Sequence, residues 1–270
     1  MVRRAPPTPP PSPSARRWAW TGGVIGAALA LLLFLPASWL AGPLSHLTQG
    51  HLLLVNAGGT VWNGHGDRGV SGGQDSRTRS ALPHGLRWRL RPGGDGLVTL
   101  AIEAPCCTTA PLRLGLSLGW NRGELRWAPG LLRWPPELLH GLGTPWNTLR
   151  LDGRFEIETP GARFSWVQGR PHFDGSVQMR LQDLSSRMAT LRPLGSYRIN
   201  LRTDEDGTSP RIELATLRGD LRIDGQGQWV GGRLRFRGVA TAAPGREAAL
   251  ANLLNIIGRR SGDRSVILLG

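Results

Sequence analysis

Residues 86–91 read Leu-Arg-Trp-Arg-Leu-Arg, a strict alternation of apolar and basic side chains. In an extended strand this alternation puts Leu86, Trp88 and Leu90 on one face and the three arginines on the other. The same period returns in residues 112–118, 197–202 and 233–237. Such stretches are typical of half-buried strands in an antiparallel sheet. The chain is therefore predicted to be mainly β.

Turn-forming residues separate the predicted strands at the intervals that hairpins require. Each group supplies Gly, Asn or Asp for tight turns. The groups lie at residues 92–96, 120–123, 159–161, 204–207 and 230–232. This spacing predicts a meander of roughly ten to twelve strands, too many for a strongly twisted sheet to stay flat. We expect the sheet to curve or to fold into two layers.

Helical periodicity appears most clearly near the C-terminus. Residues 244–258 place Leu250, Leu253, Leu254 and Ile257 at spacings of three and four, with Gly258 as the C-cap. This pattern predicts an amphipathic helix that packs on the sheet. A short helix is predicted at residues 135–139, where proline occupies the first turn, and a last strand at residues 265–269.

An apolar span at residues 18–41 precedes the predicted sheet and carries no charged residue from Trp18 to Leu40. About 20 apolar residues in a helix cross the hydrocarbon core of a bilayer. Trp18 and Trp20 begin the span and Trp39 ends it, as in an aromatic belt at the two interfaces. We expect residues 1–17 to form a disordered, Pro-rich tail, residues 18–41 a transmembrane helix, and residues 42–270 a β-rich domain.

Charge around the span predicts its orientation. Four arginines precede it within the first 17 residues, and the first acidic residue of the chain is Asp67. The positive-inside rule therefore places the N-terminus in the cytoplasm and the β-rich domain in the periplasm of a cell inner membrane. A cleaved signal peptide is the alternative, because small residues follow the apolar stretch. The span is longer than the usual 7 to 15 residues of a signal core, which favours a retained anchor.

The chain is strongly basic, with a formal net charge of +14 from 33 arginines and no lysine. Such a charge suits nucleic acid, anionic lipid or an acidic protein partner. The arginines alternate along predicted strands and form no basic block, and no RNA-binding aromatic motif is present. We therefore expect no nucleic-acid partner.

No catalytic or metal-binding constellation stands out. The six histidines are scattered, no serine lies in a G-x-S-x-G frame, and the Gly-rich stretch 58–66 lacks a P-loop ending. We predict no enzyme activity, no catalytic residue, no metal and no cofactor. The two cysteines, Cys106 and Cys107, are adjacent, and we expect unpaired or loosely paired thiols in a loop.

Tryptophan is frequent, with 11 residues. Trp88, Trp127, Trp166 and Trp229 lie in strand patterns and are predicted to pack in the core. Trp134 and Trp146 lie among Pro and Gly residues and are the candidates for contact with a partner protein.

Four segments follow one another in a recognisable order: 58–64, 193–197, 217–229, and 236–240 followed by 253–258. The residues that carry the pattern are Gly59, Thr60, Trp62, Gly64, Pro193, Leu194, Gly195, Tyr197, Gly225, Gly227 and Trp229. Together with the apolar span, these segments resemble the type II secretion system protein N family. The resemblance covers nearly the whole chain.

The resemblance implies an accessory inner-membrane component of the machine that carries folded proteins from the periplasm across the outer membrane of a Gram-negative bacterium. Other secretion components are then its partners, by protein–protein docking. The residues alone leave a rival open, a lipid-handling protein in which one apolar sheet face stays open as a groove. The leucines at 112, 114, 116 and 118 permit that interpretation.

Overall fold

The computed structural model describes residues 13–71, 79–82, 84–93, 97–140, 146–168, 170–203, 209–230 and 233–270. Most of the Pro-rich tail, at residues 1–12, lies outside these ranges. The same holds for the predicted turn at 204–207 and for parts of the turns at 92–96 and 230–232. Within the described ranges the chain is mainly β, as the strand periodicity predicted.

The described chain contains five α-helices and 16 strands. The helices are α1 Pro13–Leu33, α2 Ala41–Leu47, α3 Glu137–His140, α4 Trp146–Leu149 and α5 Glu247–Ile257. The strands are β1 Leu52–Gly59, β2 Asn63–Ser71, β3 Arg79–Ala81, β4 Leu86–Pro92, β5 Val98–Glu103, β6 Leu112–Gly119, β7 Arg122–Trp127, β8 Gly130–Trp134, β9 Leu151–Val167, β10 Arg170–Ser186, β11 Gly195–Thr203, β12 Pro210–Gly219, β13 Leu221–Val230, β14 Arg233–Ala242, β15 Arg259–Ser261 and β16 Arg264–Leu269.

All of these strands belong to one antiparallel sheet. Its order follows the chain, β1-β2-β4-β5-β6-β7-β9-β10-β11-β12-β13-β14-β16-β15, while β3 pairs with β2 and β8 with β9. The predicted meander is confirmed, but the predicted strand number was too low. Strands β3, β8 and β15 are too short to show a clear alternation in the sequence.

The pairing register gives the sheet two chemically distinct faces, because residues opposite each other point to the same side. Trp88 lies opposite Ile102, Leu114 opposite Trp127, and Leu125 opposite Phe164. We call this side the apolar face; it also carries Leu54, Leu90, Leu100, Leu116, Ile157, Met179, Leu181, Tyr197, Ile199, Leu201, Ile212, Leu214, Ile223, Phe236 and Ile267.

The opposite side is the charged face. Arg87 lies opposite Glu103, Arg180 opposite Glu156, and Arg202 opposite Arg211. Ion pairs hold several of these groups together, including Arg202–Glu213 at 2.6 Å and Arg180–Glu158 at 3.3 Å. The alternation at residues 86–91 is thus one local instance of the separation into an apolar and a charged face that runs through the sheet.

The predicted turn at residues 159–161 is wrong, because these residues lie inside β9. The register of β9 against β10 shifts between Ser176 and Gln178, which makes the segment a β-bulge. Pro160 lacks an N–H for the ladder, and Gly161 has a φ of 134°. Strand β9 is paired with β10 on one side and with β7 and β8 on the other, so the bulge interrupts the hydrogen-bond ladder without ending the strand.

Two clusters of fully buried apolar residues stand at opposite ends of the strand order. The C-terminal cluster is built by α5 on β13 and β14, and consists of Leu149, Ala189, Leu194, Leu221, Ala240, Leu250, Leu253 and Leu254. The N-terminal cluster consists of Ala37, Leu86, Trp88, Ala104 and Cys107. The predicted amphipathic helix is confirmed, and Gly258 follows it directly.

The apolar span at residues 18–41 is not the single helix that was predicted. Helix α1 ends at Leu33, Pro36 forms a β-bridge with Thr60, and residues 37–40 form a short 3-10 turn before α2. Proline disfavours the helical conformation of the residue before it and donates no amide hydrogen bond. Trp18, Trp20 and Trp39 are exposed. Among the described helices, none has the length and apolarity that a membrane crossing requires.

The two cysteines are joined, so of the expected unpaired or loosely paired thiols the unpaired form is wrong. A disulfide links Cys106 to Cys107 in the turn after β5, where the amides of Cys107 and Thr108 both donate to Ala104 O. Cys107 is buried in the N-terminal cluster. The turn packs both cysteines against the N-terminal cluster. Their adjacency in the sequence does not predict this packing.

Candidate functional surfaces

The first group of motif residues, Gly59, Thr60, Trp62 and Gly64, forms the hairpin between β1 and β2. Gly59 has a φ of 81°, and a Cβ on Gly64 would lie 2.3 Å from Cζ2 of Trp88. The indole of Trp62 donates to Leu32 O of α1 at 2.8 Å. This hairpin therefore joins the N-terminal helix to the sheet and makes room for a buried indole.

The second group lies where β11 begins, at residues 193–197. Leu194 is buried in the C-terminal cluster, and the Tyr197 hydroxyl donates to Leu221 O at 2.8 Å. Burial raises the pKa of Tyr197 above its ordinary value. A Cβ on Gly195 would lie 2.7 Å from Arg218 O, so only glycine fits beside the next strand. Pro193 precedes this strand entry.

The third group lies in β13, where Gly225 and Gly227 make room for β14. A Cβ on Gly225 would lie 2.5 Å from Cζ of Phe236, and one on Gly227 would lie 2.5 Å from Arg235 O. Trp229 lies opposite Leu234 and is half-buried. All three groups hold strands at close approach, so their role in this fold is structural.

The two tryptophans predicted to meet a partner occupy regular elements. Trp134 ends β8 opposite Phe155 and is half-buried, while Trp146 begins α4. The indole Nε1 atoms of Trp134 and Trp127 are buried and have no hydrogen-bond partner. Contact of Trp134 and Trp146 with another protein stays a prediction.

Much of the apolar face is uncovered between the two buried clusters. Leu116 is 37% exposed, Leu118 64%, Phe164 37% and Trp166 42%. The prediction that Trp166 packs in the core is therefore wrong, whereas Trp88 is buried. We call the patch of Leu116, Leu118, Leu125, Phe164 and Trp166 the uncovered section.

The total accessible surface of the chain, which includes the exposed helix α1, is larger than that of a compact monomer. It is 17950 Å² for a mass of 29.3 kDa. A compact monomer of this mass exposes about 11,500 Å². Exposed apolar side chains that adjoin one another on a sheet face mark a site of interaction with a ligand, a membrane or another protein.

One edge of the sheet collects exposed apolar and basic side chains. In an antiparallel meander every second connection lies at the same edge, so the strand ends that flank the connections β1–β2, β4–β5, β6–β7, β9–β10, β11–β12 and β13–β14 lie at one edge. We call it the hairpin edge. Its exposed apolar residues are Leu97, Trp120, Val167 and Val230, and its exposed arginines are Arg91, Arg122, Arg170 and Arg233.

Trp120 is the most prominent of these residues, since its side chain is fully exposed. Sequence reasoning read it only as part of a turn. The available signal was a lone aromatic residue at the tip of a predicted hairpin, where neither neighbouring strand can cover it.

The charged face contains a shallow depression in which two of the lining arginines form ion pairs. One cavity of about 300 Å³ is lined by Arg113, Arg126, Arg163 and Asp174 among others. Glu124 forms ion pairs with Arg126 and, at 3.5 Å, with Arg163. Within the described ranges, no group of three or more His, Cys, Asp or Glu side chains is placed to hold a metal ion.

Comparison with known protein families identifies a match over most of the chain. A protein-family model described as "Type II secretion system (T2SS), protein N" matches residues 50–268. The match spans the three groups of motif residues and the whole C-terminal cluster. It also spans the N-terminal cluster apart from Ala37. Neither the curated proteins nor the solved structures contain a match to the chain.

Proposed function

The chain belongs to the type II secretion system protein N family, and we propose that it acts as an accessory inner-membrane component of that secretion pathway. Membership gives the protein a role in type II secretion. In the proposed role, it supports the export of folded proteins across the outer membrane by docking to other secretion components. The observation that carries the proposal is the family match over residues 50–268.

The shape of the molecule supports a docking role. A long single sheet presents a charged face, an uncovered apolar patch and an edge of exposed Trp and Arg side chains. Aromatic residues and arginine are the residue types that most often anchor protein interfaces. Trp134 and Trp146 are included among the proposed contacts.

We further propose that the 18–41 segment attaches the protein to the inner membrane in a single pass. Residues 1–17 then lie in the cytoplasm and residues 42–270 form the periplasmic domain. The exposed apolar side chains of α1 and the arginines that precede Trp18 support this arrangement. Trp18, Trp20 and Trp39 serve as interfacial anchors in this proposal.

Deletion of the gene tests the secretion role. We expect the release of folded exoproteins to fall and their periplasmic pools to rise, and re-expression of the full chain should reverse both changes. Immunoblots of culture medium and periplasmic extract measure the effect. Unchanged distribution of every exoprotein in the deletion strain would contradict an accessory role in this pathway.

Attachment and topology need a separate measurement. Alkaline phosphatase fused after Gly270 should be active, because this enzyme requires the periplasm, and the fusion should remain in the membrane fraction after carbonate extraction. As a control, a cytosolic reporter at the same position should be inactive. The reverse pattern of activities would refute the proposed orientation. It would not bear on the proposed role in secretion, which the gene deletion tests.

A further inference from the structure

We propose that the charged face carries a docking site for an extended segment of a partner protein with two acidic residues that are separated by one other residue. The site lies on strands β4 to β7, on the side of the sheet opposite to the uncovered section. The inference rests on the proposed docking role, and it names the chemistry of the segment that docks.

Two rows of opposed residues form the site. In the first row, Arg89 of β4 lies opposite Ala101 of β5, and Ala101 lies opposite Arg113 of β6. The second row lies two residues further along the strands and consists of Arg91, Thr99, Gly115, Arg126 and Arg163. Residues opposite each other point to the same side of a sheet. We call the residues of these two rows the basic trough.

The floor of the basic trough is made of small residues. Gly115 is buried and has no side chain to fill the space between Thr99 and Arg126. The cavity of about 300 Å³ on the charged face includes Gly115 and Arg113 in its lining. A side chain that enters this cavity therefore lies between guanidinium groups, above the backbone of β6.

The arginines of β4 and β6 in the basic trough are not neutralised by the described part of the chain. Arg89, Arg91 and Arg113 are exposed, and none of them forms an ion pair with a described carboxylate. At the other end of the trough, Arg126 and Arg163 share the carboxylate of Glu124. The positive charge available to a partner is therefore greatest over β4 to β6.

Elsewhere on the sheet, carboxylates of the chain itself lie between arginines. Asp183 pairs with Arg154 at 2.6 Å and with Arg218 at 2.7 Å, and Glu213 pairs with Arg202 at 2.6 Å. Guanidinium groups hold carboxylates by charge-assisted hydrogen bonds, often two at a time. The basic trough presents the same groups without the carboxylates, so acidic side chains of a partner complete the pattern.

The spacing of the arginines favours an extended segment. Arg89 and Arg91 lie two residues apart on one strand, at a separation of about 6.6 Å, and alternate side chains of an extended partner repeat at the same interval. Arg89 and Arg113 are two strand spacings apart, which is about 10 Å. A helix with its side chains is about 10–12 Å across, so it would rest on the guanidinium groups and leave the floor empty.

Glu103 limits how many acidic residues the segment can carry. It lies opposite Arg87 on the same face, two residues from Ala101 along β5. Its carboxylate repels a further acidic residue of the partner, because like charges that lie close together on a sheet are unfavourable. The site therefore favours a pair of acidic residues over a continuous acidic run.

Other anionic partners fit the basic trough less well. Membrane surfaces bind basic residues that stand beside exposed apolar side chains, whereas the floor of the trough consists of Thr99, Ala101 and Gly115. Single-stranded nucleic acids bind basic grooves in which bases stack on aromatic side chains, and neither row of the trough includes one. Charge and residue types together favour a protein segment.

Binding of two peptides of identical composition to the purified full-length chain tests the proposal. Both are short, fluorophore-labelled Gly/Ser peptides with two Glu residues. In the first peptide one residue separates the two Glu residues, and in the second they are adjacent, so that they point to opposite sides of an extended chain. Fluorescence anisotropy measures the affinities. We expect the first peptide to bind at least about fivefold more tightly.

A double variant locates the site. Arg89→Gln with Arg113→Gln should weaken binding of the first peptide by about tenfold or more and remove the preference, because two charge-assisted pairs are lost. The matched control is Arg235→Gln with Arg237→Gln, which removes the same charge from two exposed arginines of β14, roughly 34 Å from β6 along the sheet. At about 0.1 M ionic strength, exposed charges at that distance are screened, so the control should stay within about twofold of the parent chain.

Circular dichroism and thermal unfolding confirm that both double variants are folded. Equal affinity of the two peptides would overturn the proposal, and so would an equal loss of affinity in both double variants, which would show an effect of net charge alone. Phosphatidylglycerol vesicles that bind through Arg89 and Arg113, when neither peptide binds, would assign the surface to a membrane instead.

A failure of this site can be told apart from a failure of the secretion role. Peptide binding is measured on the purified chain and does not depend on the gene deletion. In cells, we expect the Arg89 and Arg113 double variant to lower exoprotein release towards the level of the deletion strain. Full release by the variant, where the deletion lowers release, would reject the basic trough as the docking site and leave the secretion role standing.

Discussion

The C-terminal cluster and the uncovered section belong to the same apolar face but differ in what lies over them. In the cluster, Leu250 and Leu254 of α5 are fully buried against Ala240 and Leu221. In the uncovered section, Leu116 and Leu118 keep 37% and 64% of their surface. The alternation of apolar and polar side chains along the strands is equally regular in both regions. The difference teaches that alternation decides which way a side chain points, whereas a second element decides whether it is buried.

The same contrast extends to polar atoms on the apolar face. Beside the clusters, the Tyr197 hydroxyl and the Trp88 indole each donate to a backbone carbonyl, at 2.8 and 3.0 Å. On the middle strands, the indole Nε1 atoms of the half-buried Trp127 and Trp134 are shielded from solvent and have no hydrogen-bond partner. An unpaired buried donor costs about 1–3 kcal/mol. The middle of the sheet is therefore less well stabilised than its ends.

The largest effect is expected from the same substitution at two leucines, one in the C-terminal cluster and one in the uncovered section. Leu254→Ala should lower the free energy of unfolding by about 2–5 kcal/mol, because it leaves a cavity under α5. Leu116→Ala, an identical change on the uncovered section, should cost less than about 1 kcal/mol. Urea unfolding of the two full-length variants under the same conditions measures both values. Equal losses would mean that the uncovered section is covered in solution.

A smaller effect is expected from Tyr197→Phe, which removes the hydrogen bond to Leu221 O. We expect a loss of about 1–3 kcal/mol, because the buried carbonyl is left unpaired.

The pH dependence of Tyr197 follows from the direction of its pKa shift. Burial raises the pKa of Tyr197, so the folded state holds the phenolic proton more tightly than the unfolded state. Its contribution to stability is complete below the ordinary tyrosine pKa of about 10 and is lost as the pH rises above that value. The Phe variant should lack this part of the alkaline decline. An identical decline in both proteins would contradict the assignment.

The smallest effect is expected from two matched tryptophan substitutions. Trp88→Phe and Trp134→Phe make the same change in size, but only the first removes a hydrogen bond, to Val61 O. We expect Trp134→Phe to be less destabilising by about 1–2 kcal/mol. Chemical denaturation of the pair gives the difference directly. A larger loss in Trp134→Phe would show that its indole N–H is satisfied in solution.

Local patterns predicted much of this fold, and their failures have physical causes. The period of two identified the main strands, and the 3–4 spacing of Leu250, Leu253 and Leu254 identified α5. The turn predicted at 159–161 is a bulge, because neighbouring strands on both sides keep β9 extended. The helix predicted through residue 41 ends at Leu33, because Pro36 pairs with Thr60, which is distant in the sequence.

The candidate surfaces were predicted less well than the fold. The motif residues were identified correctly as a family pattern, yet their reasons are contacts between strands, such as Gly64 beneath Trp88 and Gly225 beneath Phe236. Trp166 was assigned to the core because it alternates correctly with its neighbours. Its exposure depends on the absence of a covering element among the described residues, which no property of its own strand reveals.

By itself the sequence determined the fold class, the family and the division of each strand into an apolar and a basic side. These follow from backbone geometry, since successive side chains in a strand point to opposite faces wherever the strand lies. The tertiary structure alone decided which part of the apolar face is buried and which edge gathers Trp120 and the arginines. Burial and proximity depend on where distant segments such as α5 and α1 pack, and that placement is a property of the whole chain.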